Sequence, residues 1–178
     1  MKKGGAYQKG VDFERQVCKR LSLWITKGTA DDAFWRSAMS GGRATQSPDP
    51  ERVKAVSGDI CAVRQEGFAL CRDFFIECKF YKDMQFVSLL GYKREFSLIE
   101  LWKVCLVESE KYEQVPLMIA KQNRIAPVLL TNRLGAETLK PKCSPRCISY
   151  VSSYQGIEGC EAYIYDMEEF LEKTRPYR

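Results

Sequence analysis

The stretch FFIECKFY, residues 74–81, constrains the fold more than any other. It is apolar enough to be a buried strand, yet it carries a carboxylate, Glu77, and an amine, Lys79. Side chains alternate along a strand, so Phe75, Glu77 and Lys79 point one way while Phe74, Ile76, Cys78 and Phe80 point the other. An unpaired charge inside a sheet costs several kcal/mol on the order of magnitude expected for buried polar groups. Both charges therefore need partners. The simplest solution is a Glu–Lys pair at the end of the sheet, and an isolated E-x-K usually means no more than that.

The flanking sequence supplies the rest of an α/β pattern. GVDFERQVCKRLSLWITKG sets Phe13, Val17, Leu21 and Trp24 at helical spacing and stops at Gly28. AFWRSAMS, residues 33–40, reads as a strand that enters the Gly/Pro/Ser-rich loop SGGRATQSPDPERVKAVSG. DICAVR and RDFFIECKF read as two strands joined in a hairpin through Glu66-Gly67. Residues 96–112 form a second helix with Leu98, Leu101, Trp102, Cys105 and Leu106 on its apolar face. PLMIAKQ and APVLLTN are two further strands, and DMEEFLEK closes the chain as a short helix with Asp166 as N-cap. Residues 133–160 show no clear period. The order predicts an α/β sandwich with a central mixed sheet flanked by helices.

Composition excludes several classes of chemistry. At 178 residues and 45% hydrophobic content, the chain can bury one ordinary core and is expected to form a single domain over residues 1–178. The core is expected at about 9–132, with residues 133–178 as a C-terminal extension. There is no histidine, which removes His-based general catalysis, His-metal nucleases and Ser-His-Asp hydrolysis. Eight cysteines in such a chain read as reduced thiols, and Cys143, Cys147 and Cys160 match no common zinc spacing. No apolar run is long enough to cross a bilayer and no signal core precedes the first helix, so a cytoplasmic protein with no membrane partner is expected. The net charge of +5 tilts the chain toward a polyanionic partner. No pattern for a nucleotide cofactor is present.

Asp59, at the start of the strand before FFIECKFY, changes the reading of Glu77 and Lys79. A hairpin would bring it beside Glu77, and two neighbouring carboxylates repel unless a cation sits between them. Hard oxygen ligands select Mg²⁺, with Mn²⁺ as a substitute. A third acid, Glu14, borders the apolar stripe of the first helix.

This combination resembles the PD-(D/E)XK nuclease superfamily and, within it, the archaeal-type Holliday junction resolvases. KGVDFER is similar to the K-G-x-x-x-E-R opening through Lys9, Gly10, Glu14 and Arg15. FWRSAMSG is similar to a strand ending in R-x-x-x-S, giving Arg36 and Ser40; SGDICAV resembles the Asp strand; FIECKF matches I-E-x-K; and VPLMIAKQ resembles P-x-x-A-x-K, giving Lys121. Gly58 stands where the signature has proline, and the segment between Ser40 and Asp59 is longer than in a typical resolvase.

The resemblance implies a restriction-endonuclease-like αβββαβ core and a Mg²⁺-dependent endonuclease acting on branched or duplex DNA as a homodimer. It implies Asp59, Glu77 and the Cys78 carbonyl as metal ligands, with Glu14 as a further ligand. Lys79 orients or deprotonates the attacking water, its pKa lowered if it is desolvated. Ser40, Gly41 and Gly42 approach a phosphate, and Lys9, Arg15, Arg36, Arg43 and Lys121 bind the nucleic-acid backbone. Two other readings use the same residues: a restriction-type endonuclease that reads bases with the loop from Gly41 to Ser57, and a nucleic-acid-binding protein on this fold without activity.

Overall fold

A computed structural model describes residues 5–37, 54–83, 98–154 and 157–177. Helix α1 spans Gly5–Ile25 and strand β1 Phe34–Arg36. Strand β2 covers Ile60–Ala62, helix α2 Gln65–Asp73 and strand β3 Phe74–Tyr81. Helix α3 spans Leu98–Lys111, followed by β4 (Val115–Gln122), β5 (Val128–Thr131) and helix α4 (Arg133–Leu139). Strands β6 (Cys147–Tyr154) and β7 (Ile157–Asp166) lead to helix α5 (Met167–Lys173).

The central sheet has five strands in the order β3-β4-β5-β7-β6. Only β3 and β4 run parallel, and the other neighbouring pairs are antiparallel. This is the mixed α/β architecture the sequence predicts, a restriction-endonuclease-like core. Alternation along the strands divides the interior into two layers. Ile76, Cys78, Leu117, Ile119, Leu129 and Tyr165 pack with Phe13, Val17 and Leu21 of α1 on one face. Phe75, Met118, Ala120, Leu130 and Ile164 pack with Leu98, Trp102, Cys105 and Leu106 of α3 on the other.

One local reading is corrected. Glu66-Gly67, read as the turn of a hairpin, lies in helix α2, which also takes in Arg72 and Asp73 from the start of the strand read as RDFFIECKF, and β2 pairs antiparallel with β1 in a separate two-stranded ribbon. The physical reason lies in QEGFALCRD: Gly67, Leu70 and Cys71 fall on one helical face and are buried, with Glu66 in the first turn and Arg72 in the last, both favourable to the helix dipole. Residues 133–160, where no period is evident, contain α4 and β6 and lead into β7. Strands β6 and β7 of the central sheet lie within residues 133–178. The first helix ends as expected: Lys27 and Gly28 take positive φ values of 56° and 84°. Asp166 caps α5 by accepting from the N–H groups of Glu168 and Glu169. Among the described residues no helix is long and apolar enough to cross a membrane.

Candidate active site

Asp59 reaches β3 without a hairpin. Among the described residues the sheet ends at β3, and the segment before β2 lies along that edge. The Asp59 N–H donates to the carbonyl of Ile76 at 2.8 Å, and the Cys78 N–H donates back to the Asp59 carboxylate at 2.9 Å. These two bonds fasten Asp59 to the middle of FFIECKFY. Within a strand the N–H and C=O of one residue point to the same side, so the Cys78 carbonyl looks out over the same edge as Asp59.

Gly58 makes the approach possible. A Cβ there would collide with the carbonyl oxygen of Ile76 and lie 2.9 Å from its nitrogen, so the requirement is for the absence of a side chain. A second anchor lies on the other side of the turn. Gln114, 7% exposed, donates through its amide to the carbonyls of Lys54 (3.0 Å), Cys71 (2.8 Å) and Arg72 (3.0 Å), while its oxygen accepts from the Ser57 hydroxyl. One buried side chain thus ties the approach to Asp59 to the junction between α2 and β3.

Glu77 and Lys79 follow Phe75 on the α3 face of β3 and form an ion pair, with side chains 18% and 25% exposed. Glu14, on the opposite layer, forms an ion pair with Arg36 of β1, at 19% and 26% exposed. Arg36 stands opposite Ile60 in the β1–β2 ribbon, and the N–H of the next residue, Ser37, donates to the carbonyl of Asp59 at 2.8 Å. Glu14 and Glu77 therefore approach Asp59 from the two faces of the sheet around its open edge.

The electrostatics reflect this convergence. Burial, the Glu77 charge and, more weakly, the Glu14 charge push the Asp59 carboxyl up to about 7, against the opposing effects of the Cys78 N–H and Lys79. For Lys79, desolvation works to lower the pKa, but the charge and hydrogen bond of Glu77 together with Asp59 outweigh it and hold the group above its ordinary value. The lowered Lys79 pKa expected from desolvation is thereby reversed, because the ammonium is buried together with its counter-ion. Lys79 is a stable cation.

The donor chemistry fits a hard divalent ion. Among the described residues Asp59 has no ion pair of its own, and a carboxyl held near pH 7 by burial and by its acidic neighbours is relieved by a cation. No three His, Cys, Asp or Glu side chains among the described residues stand together as a ready-made cage. The fit is to an open site of two carboxylates and a main-chain carbonyl, with water completing the shell, as ions of the Mg²⁺ class accept.

The remaining candidates are more dispersed. Lys9 and Arg15 are exposed on α1, and Arg15 lies 3.7 Å from Asp12. Lys121 sits 5.9 Å from the Phe13 ring and 5.7 Å from the Phe80 ring, a cation held by two aromatic faces beside the site. Ser40, Gly41, Gly42 and Arg43 lie outside the described residues. The thiols of Cys18, Cys71, Cys78 and Cys105 are buried, free and raised above the ordinary thiol range by desolvation, so they are poor nucleophiles.

Neither the Gln114 bracket nor the Glu14–Arg36 pair is legible in residue order. Gln114 has no motif around it, although a lone amide directly before the apolar run VPLMIA is a visible anomaly. A protein-family model described as "Phage putative PDDEXK endonuclease" matches residues 5–177. No curated protein and no solved structure gives a significant match.

Proposed function

The chain belongs to the phage PDDEXK endonuclease family, and from that premise we propose that it hydrolyses DNA phosphodiester bonds with Mg²⁺, or Mn²⁺ in its place, preferring branched substrates such as four-way junctions. Nucleases of this superfamily use divalent cations and act on nucleic acid. The observation that carries the reading is the pair of hydrogen bonds holding Asp59 against Ile76 and Cys78, beside the Glu77–Lys79 pair.

In this reading Asp59, Glu77 and the Cys78 carbonyl hold the cation, with Glu14 as a further ligand. When bound, the cation activates water and neutralises charge on the phosphorane and the leaving oxygen. Lys79, fixed as an ammonium, orients the attacking water or steadies a non-bridging oxygen, and does not act as the base. Lys9, Arg15, Arg36 and Lys121 meet phosphates, and Ser40, Gly41, Gly42 and Arg43 complete that set. Residues 1–178 act as one nuclease domain, and two copies pair to cut opposed strands of a junction.

The test is incubation of the protein with linear duplex, single-stranded, flap and four-way-junction DNA, with and without Mg²⁺. Mg²⁺-dependent cutting with the junction preferred is the expected result. Cutting of plain duplex at one sequence, with the junction ignored, replaces the junction preference by restriction-type recognition. Binding with no cutting in either Mg²⁺ or Mn²⁺ removes the activity.

A further inference from the structure

Charge around Asp59 is nearly balanced before any metal arrives. With all three carboxyls ionised, as a bound cation requires, Glu14, Asp59 and Glu77 carry three negative charges, while Arg36 and Lys79 return two positive ones through the Glu14–Arg36 and Glu77–Lys79 ion pairs. A divalent cation converts this net charge of minus one to plus one, which suits a phosphodiester. The balance holds only if a resident cation is free to turn toward the substrate. Lys79, 25% exposed, lies on the same strand as its partner and only two residues from it. Arg36 belongs to a different element from Glu14, its side chain is 26% exposed, and it also engages the exposed Tyr7.

We propose that Arg36 is the resident counter-ion of Glu14, that a divalent cation bound at Asp59 displaces it, and that the freed guanidinium then takes a backbone phosphate, coupling metal binding to nucleic-acid binding. This rests on the metal reading of Asp59 and goes beyond it. The geometry supplies the link: Ser37, the residue after Arg36, donates its N–H to the Asp59 carbonyl at 2.8 Å, so the strand end that carries the Glu14–Arg36 pair is fastened to Asp59. A doubly charged ion beside the pair attracts the same carboxylate oxygen more strongly than a singly charged guanidinium does. The guanidinium fork then matches a phosphate as well as it matched the carboxylate. The two binding events become reciprocal in free energy.

The test measures Mn²⁺ binding to the full chain without nucleic acid, following free Mn²⁺ by electron paramagnetic resonance. Arg36→Gln keeps a hydrogen-bond donor for Glu14 and removes the competing charge, so it should bind Mn²⁺ about three- to tenfold tighter. Arg36→Lys restores the charge and should stay within about twofold of the unmodified chain on the same reasoning. Asp59→Asn should lose Mn²⁺ binding. Unchanged or weaker binding by Arg36→Gln, with Asp59→Asn still defective, overturns the exchange and leaves the metal site standing. Full binding by Asp59→Asn overturns both. Should Arg36→Gln not fold, Arg36→Lys decides: a loss beyond about tenfold marks the guanidinium as a fixed support for Glu14 and sinks the exchange.

The phosphate half is read from salt dependence in a Lys79→Ala background, which slows cutting. In Mn²⁺ the slope of log affinity against log salt for duplex DNA should be steeper by about 0.9 with Arg36 present than with Arg36→Gln, the value for one phosphate contact. In EDTA the two slopes should coincide. Equal slopes in Mn²⁺ overturn this half of the proposal.

Discussion

Among individual residues, the two charges in FFIECKFY carry different duties. In the proposed reading Glu77 supplies an oxygen ligand and Lys79 a positive charge, and the ion pair between them offsets the solvation penalty of holding both in the sheet. A Lys79→Ala chain is expected to fold, to bind Mg²⁺ and nucleic acid, and to cut about 10²-fold or more slowly, the loss typical of a missing transition-state charge. Thermal midpoint and cleavage rate on the same preparation check this. A variant that melts early but cuts at full rate when folded would leave the pair a structural one. Asp59 makes a pH prediction. Its folded pKa, near 7, lies above the ordinary 3.8, so the fold favours the neutral form. Below about 4 both states are protonated and Asp59 contributes nothing. As pH rises to about 7 the unfolded chain ionises first and stability falls, by at most about 1.4 kcal/mol for each pH unit crossed, and above that the penalty is constant. Metal-free protein should therefore melt higher at pH 5 than at pH 8 through this group. Asp59→Asn should flatten the dependence and raise the midpoint at pH 8 in EDTA.

Between elements, the site depends on how the turn before β2 is seated. Gly58 allows contact with Ile76, and Gln114 closes the bracket from behind. Gly58→Ala forces backbone apart at a buried position and should cost about 1–3 kcal/mol, read by chemical denaturation. Because the displaced residue is the neighbour of Asp59, Mn²⁺ affinity should fall with it. Loss of stability alone, with metal affinity intact, would mean that Asp59 is held from β3 independently of the turn. At the far end of the chain, Asp166→Ala removes the α5 cap and should cost about 1 kcal/mol with no effect on metal affinity, which makes it a control for the Gly58 result.

Over the full chain, α1 and the C-terminal segment share one layer. The Trp24 indole donates to the carbonyl of Thr174 at 2.9 Å, and Trp24 and Phe170 pack with their rings 6.3 Å apart. The helix that carries Glu14 is thus braced by residues from the opposite end of the sequence. Exposed Lys9 and Arg15 on that helix, with Arg36 and Lys121, outline the side from which nucleic acid is proposed to approach. Its affinity should fall steeply with salt, with a slope steeper than about −3 if these four meet phosphates. Filter binding over a salt series checks this, and sedimentation at micromolar concentration should show a dimer. A flat salt dependence would move the interface elsewhere.

Residue order alone was enough for the strongly periodic elements and for the type of chemistry. α1, α3, β3 and β4 are long or strongly patterned, so local burial preference and tertiary packing agree there. The acids and the E-x-K pattern are legible because charges inside an apolar strand demand an explanation. The helicity of residues 65–73 came from packing: a nine-residue amphipathic segment is too short to announce itself beside two strand-like runs, and its burial against Phe34 and Ala62 tips the balance. Packing also brought Asp59 to β3 by two edge hydrogen bonds where a hairpin was expected, and gave Lys79 more charge stability from Glu77 than burial removes. The pairing of Glu14 with Arg36 belongs to the same class. Local sequence encodes which groups are available, but which of them neutralise one another depends on distances between elements that have no proximity along the chain.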